Sequence, residues 1–331
     1  MTLVTVEDIR AAAERVRDLV VTTPLVPCRW ADPERPLWLK PESLQPIGAF
    51  KIRGAANAIA ALPDERRAYG VVAHSSGNHA QAVALAAARF GVPAWIVMPD
   101  SAPPVKVEAT RELGAEVVLV PVAEREIEAQ ALVDKHGANL IPPYDHPDVI
   151  AGQGTVGLEI VEAAAARGIP LDAVLVPISG GGLISGVATA VKTLSPTTKV
   201  VGVEPELAAH AADSLRTGEL VGWTTEDSNR TIADGLRIPR LGDLPWEHVR
   251  AYVDDIVTVS EDEIVEAVGV LGFRGRLVAE PSGAVTTAAY LFRSSQLPGG
   301  SHVAVLSGGN VDPVWYARIL GERAAVGHSK A

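Results

Sequence analysis

The sequence predicts an α/β protein of two lobes, built on mostly parallel, twisted sheets covered by helices. From Val71 onward, short apolar runs alternate with alanine-rich amphipathic stretches, the rhythm of strand followed by helix. The runs are near-continuous in valine, isoleucine and leucine, which predicts strands covered on both faces. A chain of 331 residues, 47% hydrophobic, is long enough to bury one large core or two smaller ones, and at 5% aromatic its packing falls on aliphatics and alanine.

The first element is a helix within "MTLVTVEDIRAAAERVRDLV", whose acids and arginines interrupt any apolar core of a signal peptide or membrane span, so a cytoplasmic protein is expected. A second helix begins near Lys51 in "QPIGAFKIRGAANAIAA". Stepping by three and four residues from Lys51 reaches Ala55, Ala58 and Leu62, an aliphatic stripe that turns the lysine toward packed protein. The ordinary account of such a lysine is a stem lying on apolar surface with its ammonium in water. Strands then follow at "VVAH", "AWIVM", "EVVLVP", "AVLVP", "KVVGVE", "IVTV" and "HVAVL". Residues 69–145 hold three strand and helix units of their own. They are expected to form a small lobe inserted into a large one made of 1–68 plus 146–331, with the site between them.

A net charge of −11 with no basic block excludes a nucleic-acid backbone or an anionic membrane surface as partner. One cysteine, Cys28, excludes an internal disulfide framework or a cysteine-ligated zinc site. The histidines are scattered, without metal-ligand spacing.

In parallel sheets, ligands bind beyond the carboxyl ends of strands, where helix N-termini offer unpaired N–H groups. Four turns there are rich in glycine and small residues: "GAFKIRG", "HSSGNHA", "PISGGGLISG" and "LSGGNVD". Gly180, Gly181 and Gly182 allow successive N–H groups to curl around a phosphate, with the dipole of a helix starting near Leu183 favouring its charge. A tight turn accounts for one glycine, not three. Ser75, Ser76, Gly77, Asn78 and His79 form a turn able to bind a carboxylate; helix capping by Ser76 or Asn78 is the plainer account, and His79 suits a structural role. Gly180, Gly182 and Gly186, with Glu204 ending the next strand, also approximate a dinucleotide fingerprint, which keeps a nucleotide-dependent dehydrogenase as an alternative.

A phosphate cradle, an inward lysine, a carboxylate-binding turn and a small donor at Ser307 together suit pyridoxal phosphate, whose aldehyde a lysine amine can hold as a Schiff base. Over essentially its full length the chain resembles the serine/threonine dehydratase and serine racemase family, with the tryptophan-synthase-β-like fold. The matches fall in order: "GAFKIRGA", "SSGNHAQ", "AGQGT", "SGGGLISG", "TIADGL", "AEPSGA" and "SGGNVD". The resemblance implies that Lys51 forms the Schiff base and removes the Cα proton. It also implies that Phe50 packs on the pyridine ring, Asn78 bonds the ring hydroxyl, Gly235 and Glu280 line the ring, and Ser307 bonds its nitrogen. Ser76 would lie on the face opposite Lys51, as the second proton carrier of the racemase members. The expected reaction is dehydration and deamination of a β-hydroxy amino acid such as L-threonine or L-serine, in a homodimer.

The chain departs from the family at several points. Ser179 stands where the glycine loop often has its first glycine, and Ile47 and Ala49 replace a frequent threonine and serine, which admits a bulkier or less polar substrate. Glu204 and Ala208 fit the family's magnesium or calcium site, but His210 replaces its second acid. The chain ends at Ala331, so no appended regulatory domain is expected.

Overall fold

The computed structural model describes residues 1–328; Ala331 lies outside them. Its strands are β1 Val26–Pro27, β2 Leu37–Pro41, β3 Val71–His74, β4 Ala94–Pro99, β5 Glu116–Val120, β6 Asn139–Leu140, β7 Ala173–Pro177, β8 Lys199–Pro205, β9 Asp255–Val259 and β10 His302–Leu306. They form two sheets, one of six strands in the order β1-β2-β10-β7-β8-β9 and one of four in the order β5-β4-β3-β6. Among these strands only β1 and β2 pair antiparallel.

All seven apolar runs became strands. Every residue of β7 and β10 is buried, as central strands between helical layers require. Three further strands escaped the pattern. β1 and β6 are two residues long, and β2 carries Lys40, which is fully buried against all expectation for a lysine.

The helices that shape the site are α1 Val6–Val16, α2 Lys51–Ala61, α3 Asp64–Arg67, α4 Asn78–Phe90, α5 Pro104–Glu112, α6 Arg125–His136, α7 Pro147–Arg167 and α8 Gly182–Leu194. A capping box between Thr5 and Asp8 starts α1. α2 packs against α4 and α7, and its Ile52, Ala55, Ala56 and Ile59 share one buried cluster with Val83 of α4 and with Val71, Ala73, Ile96 and Met98 of the smaller sheet. The helix carrying Lys51 thus belongs to the core of the four-stranded sheet, while Phe50 packs with the core of the six-stranded one. α7 is long and apolar enough to cross a membrane, but 67% of that apolar window is buried inside the protein.

α7 and α8 approach so closely that a Cβ on Gly186 would lie 2.3 Å from Ile150 O and 2.4 Å from Gly154 N. Gly186 therefore serves helix packing. The fingerprint acid fares no better, because Glu204 is fully buried and both its oxygens accept backbone N–H groups, from Ala211 at 3.1 Å and Ala212 at 2.8 Å. Neither residue is available to a dinucleotide, and the dehydrogenase alternative is set aside.

Candidate active site

The four turns meet. Phe50 N donates to Ser307 O at 3.0 Å, Gly309 N donates to Gly48 O at 2.9 Å, and Ala49 bridges Gly308, so the lysine turn and the last glycine turn are stitched backbone to backbone. α2 begins at Lys51 itself, directly after Phe50.

Lys51 is half-buried, and its Nζ donates to Pro143 O at 2.7 Å with the Phe50 ring centroid 5.2 Å away. No carboxylate pairs with it among the described residues, so burial alone acts on its charge and pushes the amine from 10.5 down to about 8. Covalent modification of Lys51 by a small aldehyde should therefore rise with pH to a midpoint near 8. Peptide mass spectrometry across a pH series reads this directly, and a midpoint near 10.5, the value of a solvated lysine, would contradict it. The linked effect on folding has the same origin. Between about 8 and 10.5 the unfolded chain holds a proton that the folded chain has lost, so Lys51 adds stability as pH rises through that window.

The residue after Pro143 reaches the glycine turn. A Cβ on Gly180 would lie 2.5 Å from the Tyr144 ring, and one on Gly182 would lie 2.9 Å from Tyr144 O. Lys51 and the turn are thus separated by no more than two consecutive residues, close enough for one small molecule to touch both. Gly181 alone of the three has a positive φ, +91°, and forms the N-cap of α8, which starts at Gly182 and so includes Leu183. The N–H groups of Gly181, Gly182 and Leu183 have no acceptor among the described residues. Ser179 Oγ is engaged, accepting from Ile238 N at 3.2 Å. A run of free N–H groups at a helix N-terminus fits the phosphate of pyridoxal phosphate, and a nearby amine without a carboxylate partner among the described residues fits its aldehyde.

The serine turn differs from its simplest account. Gly77 is the N-cap of α4 and no side chain caps that helix. Ser75 Oγ accepts from Gly77 N at 3.2 Å, while the Ser76 hydroxyl has no partner among the described residues. His79 is buried, bonded through Nε2 to Ile141 O at 2.8 Å, and burial with the nearby Lys51 pushes it down to about 3, so its ring is neutral. Asn78 Nδ2 donates to Glu280 Oε1 at 2.8 Å. Glu280 is buried, which pushes its carboxyl up to about 8. Ser307 Oγ reaches Ser282 O only at 3.4 Å, a long contact that leaves its hydroxyl available, and Gly235 N donates to Ser282 Oγ at 2.9 Å.

Glu204, Ala208 and His210 do not fit magnesium or calcium. Glu204 has its oxygens committed, the buried His210 ring lies 3.6 Å from one of them, and burial pushes Glu204 up to about 8. One such carboxyl, a backbone carbonyl and an imidazole are a poor set for a hard cation that takes six or more oxygens.

Beneath Lys51 lies a buried charge quartet that the sequence did not announce. Arg53, two residues along α2, takes Glu42 in a two-pronged bridge at 2.7 and 2.8 Å and Glu159 of α7 at 2.6 Å; Lys40 of β2 pairs with Glu159. Thr23 Oγ1 donates to Glu42 at 2.7 Å and Val21 O accepts from Arg53 at 3.1 Å. Two cations and two anions cancel, and three separate segments, 21–23, 40–42 and α7, are tied to the helix that carries the amine. The one sequence signal was an arginine inside the apolar stretch "FKIRGAANAIAA".

An amine near a run of free helix-N-terminal N–H groups suits pyridoxal phosphate, and the fold is that of the tryptophan-synthase-β-like enzymes that use it. The family model described as "Pyridoxal-phosphate dependent enzyme" matches residues 16–308, and the chain belongs to that family. It is 43% identical over 324 residues to an L-threo-3-hydroxyaspartate ammonia-lyase of Saccharomyces cerevisiae, covering 97% of each chain. Among solved structures it is similar to a T.th. threonine deaminase, with TM-score 0.88, 45% identity and coverage of 93% of this chain and 99% of that one. It is also similar to maize serine racemase, with TM-score 0.90, 39% identity and coverage of 99% and 100%.

Proposed function

We propose that this protein is a pyridoxal phosphate-dependent ammonia-lyase of the cytoplasm, acting as a homodimer on 3-hydroxy amino acids such as L-threonine or L-serine. The net reaction removes the Cα proton and the β-hydroxyl as water, then returns one water, so that the amino acid leaves as a 2-oxo acid and ammonia. The observation that carries it is the Lys51 amine: sheltered, without a carboxylate partner among the described residues, and pushed down to about 8, it can shed its proton near neutral pH and then accept one from Cα.

When bound, the cofactor supplies an electron sink for the carbon from which the proton is taken. The chain's part is placement. Lys51 holds the aldehyde and acts as base; the N–H groups of Gly181, Gly182 and Leu183, with Ser179 and Gly180 shaping their turn, hold the phosphate. Phe50 and Gly235 border the ring and Asn78 donates to its oxygen. Ser307, a neutral hydroxyl, bonds the ring nitrogen without forcing a proton onto it, which suits elimination at Cβ better than chemistry needing a strong sink. Ser75, Ser76 and Gly77 receive the substrate carboxylate.

Racemisation is the second reading, favoured by the unpartnered Ser76 hydroxyl, which is free to exchange a proton on its own side of the substrate. Incubation with L-threonine, L-serine and L-threo-3-hydroxyaspartate distinguishes the two. Equimolar 2-oxo acid and ammonia support the lyase. Inverted amino acid without ammonia would overturn it in favour of the racemase.

A further inference from the structure

Asn310 closes the motif "SGGNVD" and has no part in the chemistry above, yet it joins three of the four turns. Its Nδ2 donates to Ile47 O at 2.8 Å and to Asn78 Oδ1 at 2.8 Å. A backbone carbonyl can only accept, so the first bond decides which end of the Asn310 amide is nitrogen. The second bond then requires Asn78 to turn its oxygen toward Asn310, which leaves Asn78 Nδ2 facing Glu280 Oε1 at 2.8 Å. One carbonyl thus sets the orientation of two side-chain amides. Of the two hydrogens on Asn78 Nδ2, Glu280 takes one and the other is spare.

Packing bears on the same residue. Gly48 has φ +70°, and a Cβ there would lie 2.5 Å from Asn310 Oδ1, so the amide is seated against the turn as well as bonded to it. Asn310 as a whole is exposed. Its bond to Asn78 is exposed, whereas the one to Ile47 O satisfies the carbonyl of a buried residue, so removing the amide should cost the fold about one hydrogen bond.

We propose that Asn310 is a positioning residue for the cofactor: it holds the Asn78 carboxamide so that an N–H, and not the carbonyl, faces the ring oxygen. The inference rests on the proposed contact between Asn78 and that oxygen. With the amide reversed, two oxygens would face each other and repulsion would replace a hydrogen bond.

The test titrates pyridoxal phosphate into the cofactor-free protein and follows tryptophan fluorescence, the visible band of the bound chromophore and the melting temperature. Asn310→Leu removes the lock. Asn310→Asp goes further, since a carboxylate cannot donate to Asn78 Oδ1 and draws Asn78 Nδ2 toward itself. Loss of one hydrogen bond predicts about tenfold weaker binding for Asn310→Leu, with Asn310→Asp weaker still. Both should shift the pH midpoint of the visible band, and both should melt modestly below the wild type, since each leaves Ile47 O without its donor. Wild-type affinity and midpoint in both variants, beside a weakened Asn78→Asp reference, would overturn the role of Asn310. A silent Asn78→Asp would remove the contact on which the proposal rests, and the proposal with it. Should Asn310→Asp fail to fold, the affinity and midpoint of Asn310→Leu decide alone.

Discussion

Lys51→Ala is expected to lower kcat/KM on the order of 10^4-fold and to leave the protein without its cofactor-derived colour, because one substitution removes both the covalent anchor and the base. The fold should survive. Among the described residues the Lys51 amine makes one hydrogen bond, to Pro143 O, and its burial costs stability wherever the amine is charged. Phosphate binding should persist in part, since Gly181, Gly182 and Leu183 keep their free N–H groups. The variant should therefore bind pyridoxal phosphate reversibly and lose it on dialysis. Substantial turnover by a well-folded Lys51→Ala protein, measured with the same preparation's melting curve, would remove the amine from the chemistry.

The second large effect concerns the fold beneath the site. Arg53→Leu is expected to destabilise the protein by about 3–5 kcal/mol, since it strands Glu42 in a fully buried position without its cation. Burial would by itself raise the Glu42 carboxyl, but the Arg53 guanidinium and its hydrogen bonds hold it below its ordinary 4.5. A carboxyl depressed in the folded state contributes stability that is present above its unfolded value and lost as pH falls through the folded one. The wild type should accordingly lose this contribution below about 4.5, whereas Arg53→Leu should have lost it already at neutral pH. Denaturant unfolding at pH 7 and pH 4 measures both. Adding Glu42→Leu should recover part of the loss, because a buried pair replaced on both sides leaves no orphan charge. A single variant as stable as the wild type would mean that the quartet does not hold α2.

What the sequence made legible were the features that repeat or that violate a rule locally. Continuous apolar runs announced seven strands, and three adjacent glycines announced the turn before α8. The glycines nevertheless serve different ends. Gly181 meets the backbone requirement, whereas Gly180 and Gly182 leave room for Tyr144, a residue far earlier in the chain whose approach no local pattern predicts. β2 was hidden because Lys40 and Pro41 break its apolar run, and Lys40 is explained only by Glu159 on a helix far along the chain. Ser76 and Asn78 looked like helix caps, but Gly77 took that position and left the Ser76 hydroxyl free. Asn310 was visible as part of a motif; its bond to Ile47 O became visible only when the two ends of the chain were brought together.

The central claim is that one amine, Lys51, holds the aldehyde of a cofactor whose phosphate rests on the glycine turn before α8. The most direct measurement adds pyridoxal phosphate to the purified protein, reduces with borohydride and maps the modified peptide by mass spectrometry. One added pyridoxyl group on the peptide containing "GAFKIRG", lost when inorganic phosphate competes in excess, is the predicted result. Modification of a different lysine, or none at all in folded protein, would contradict the account.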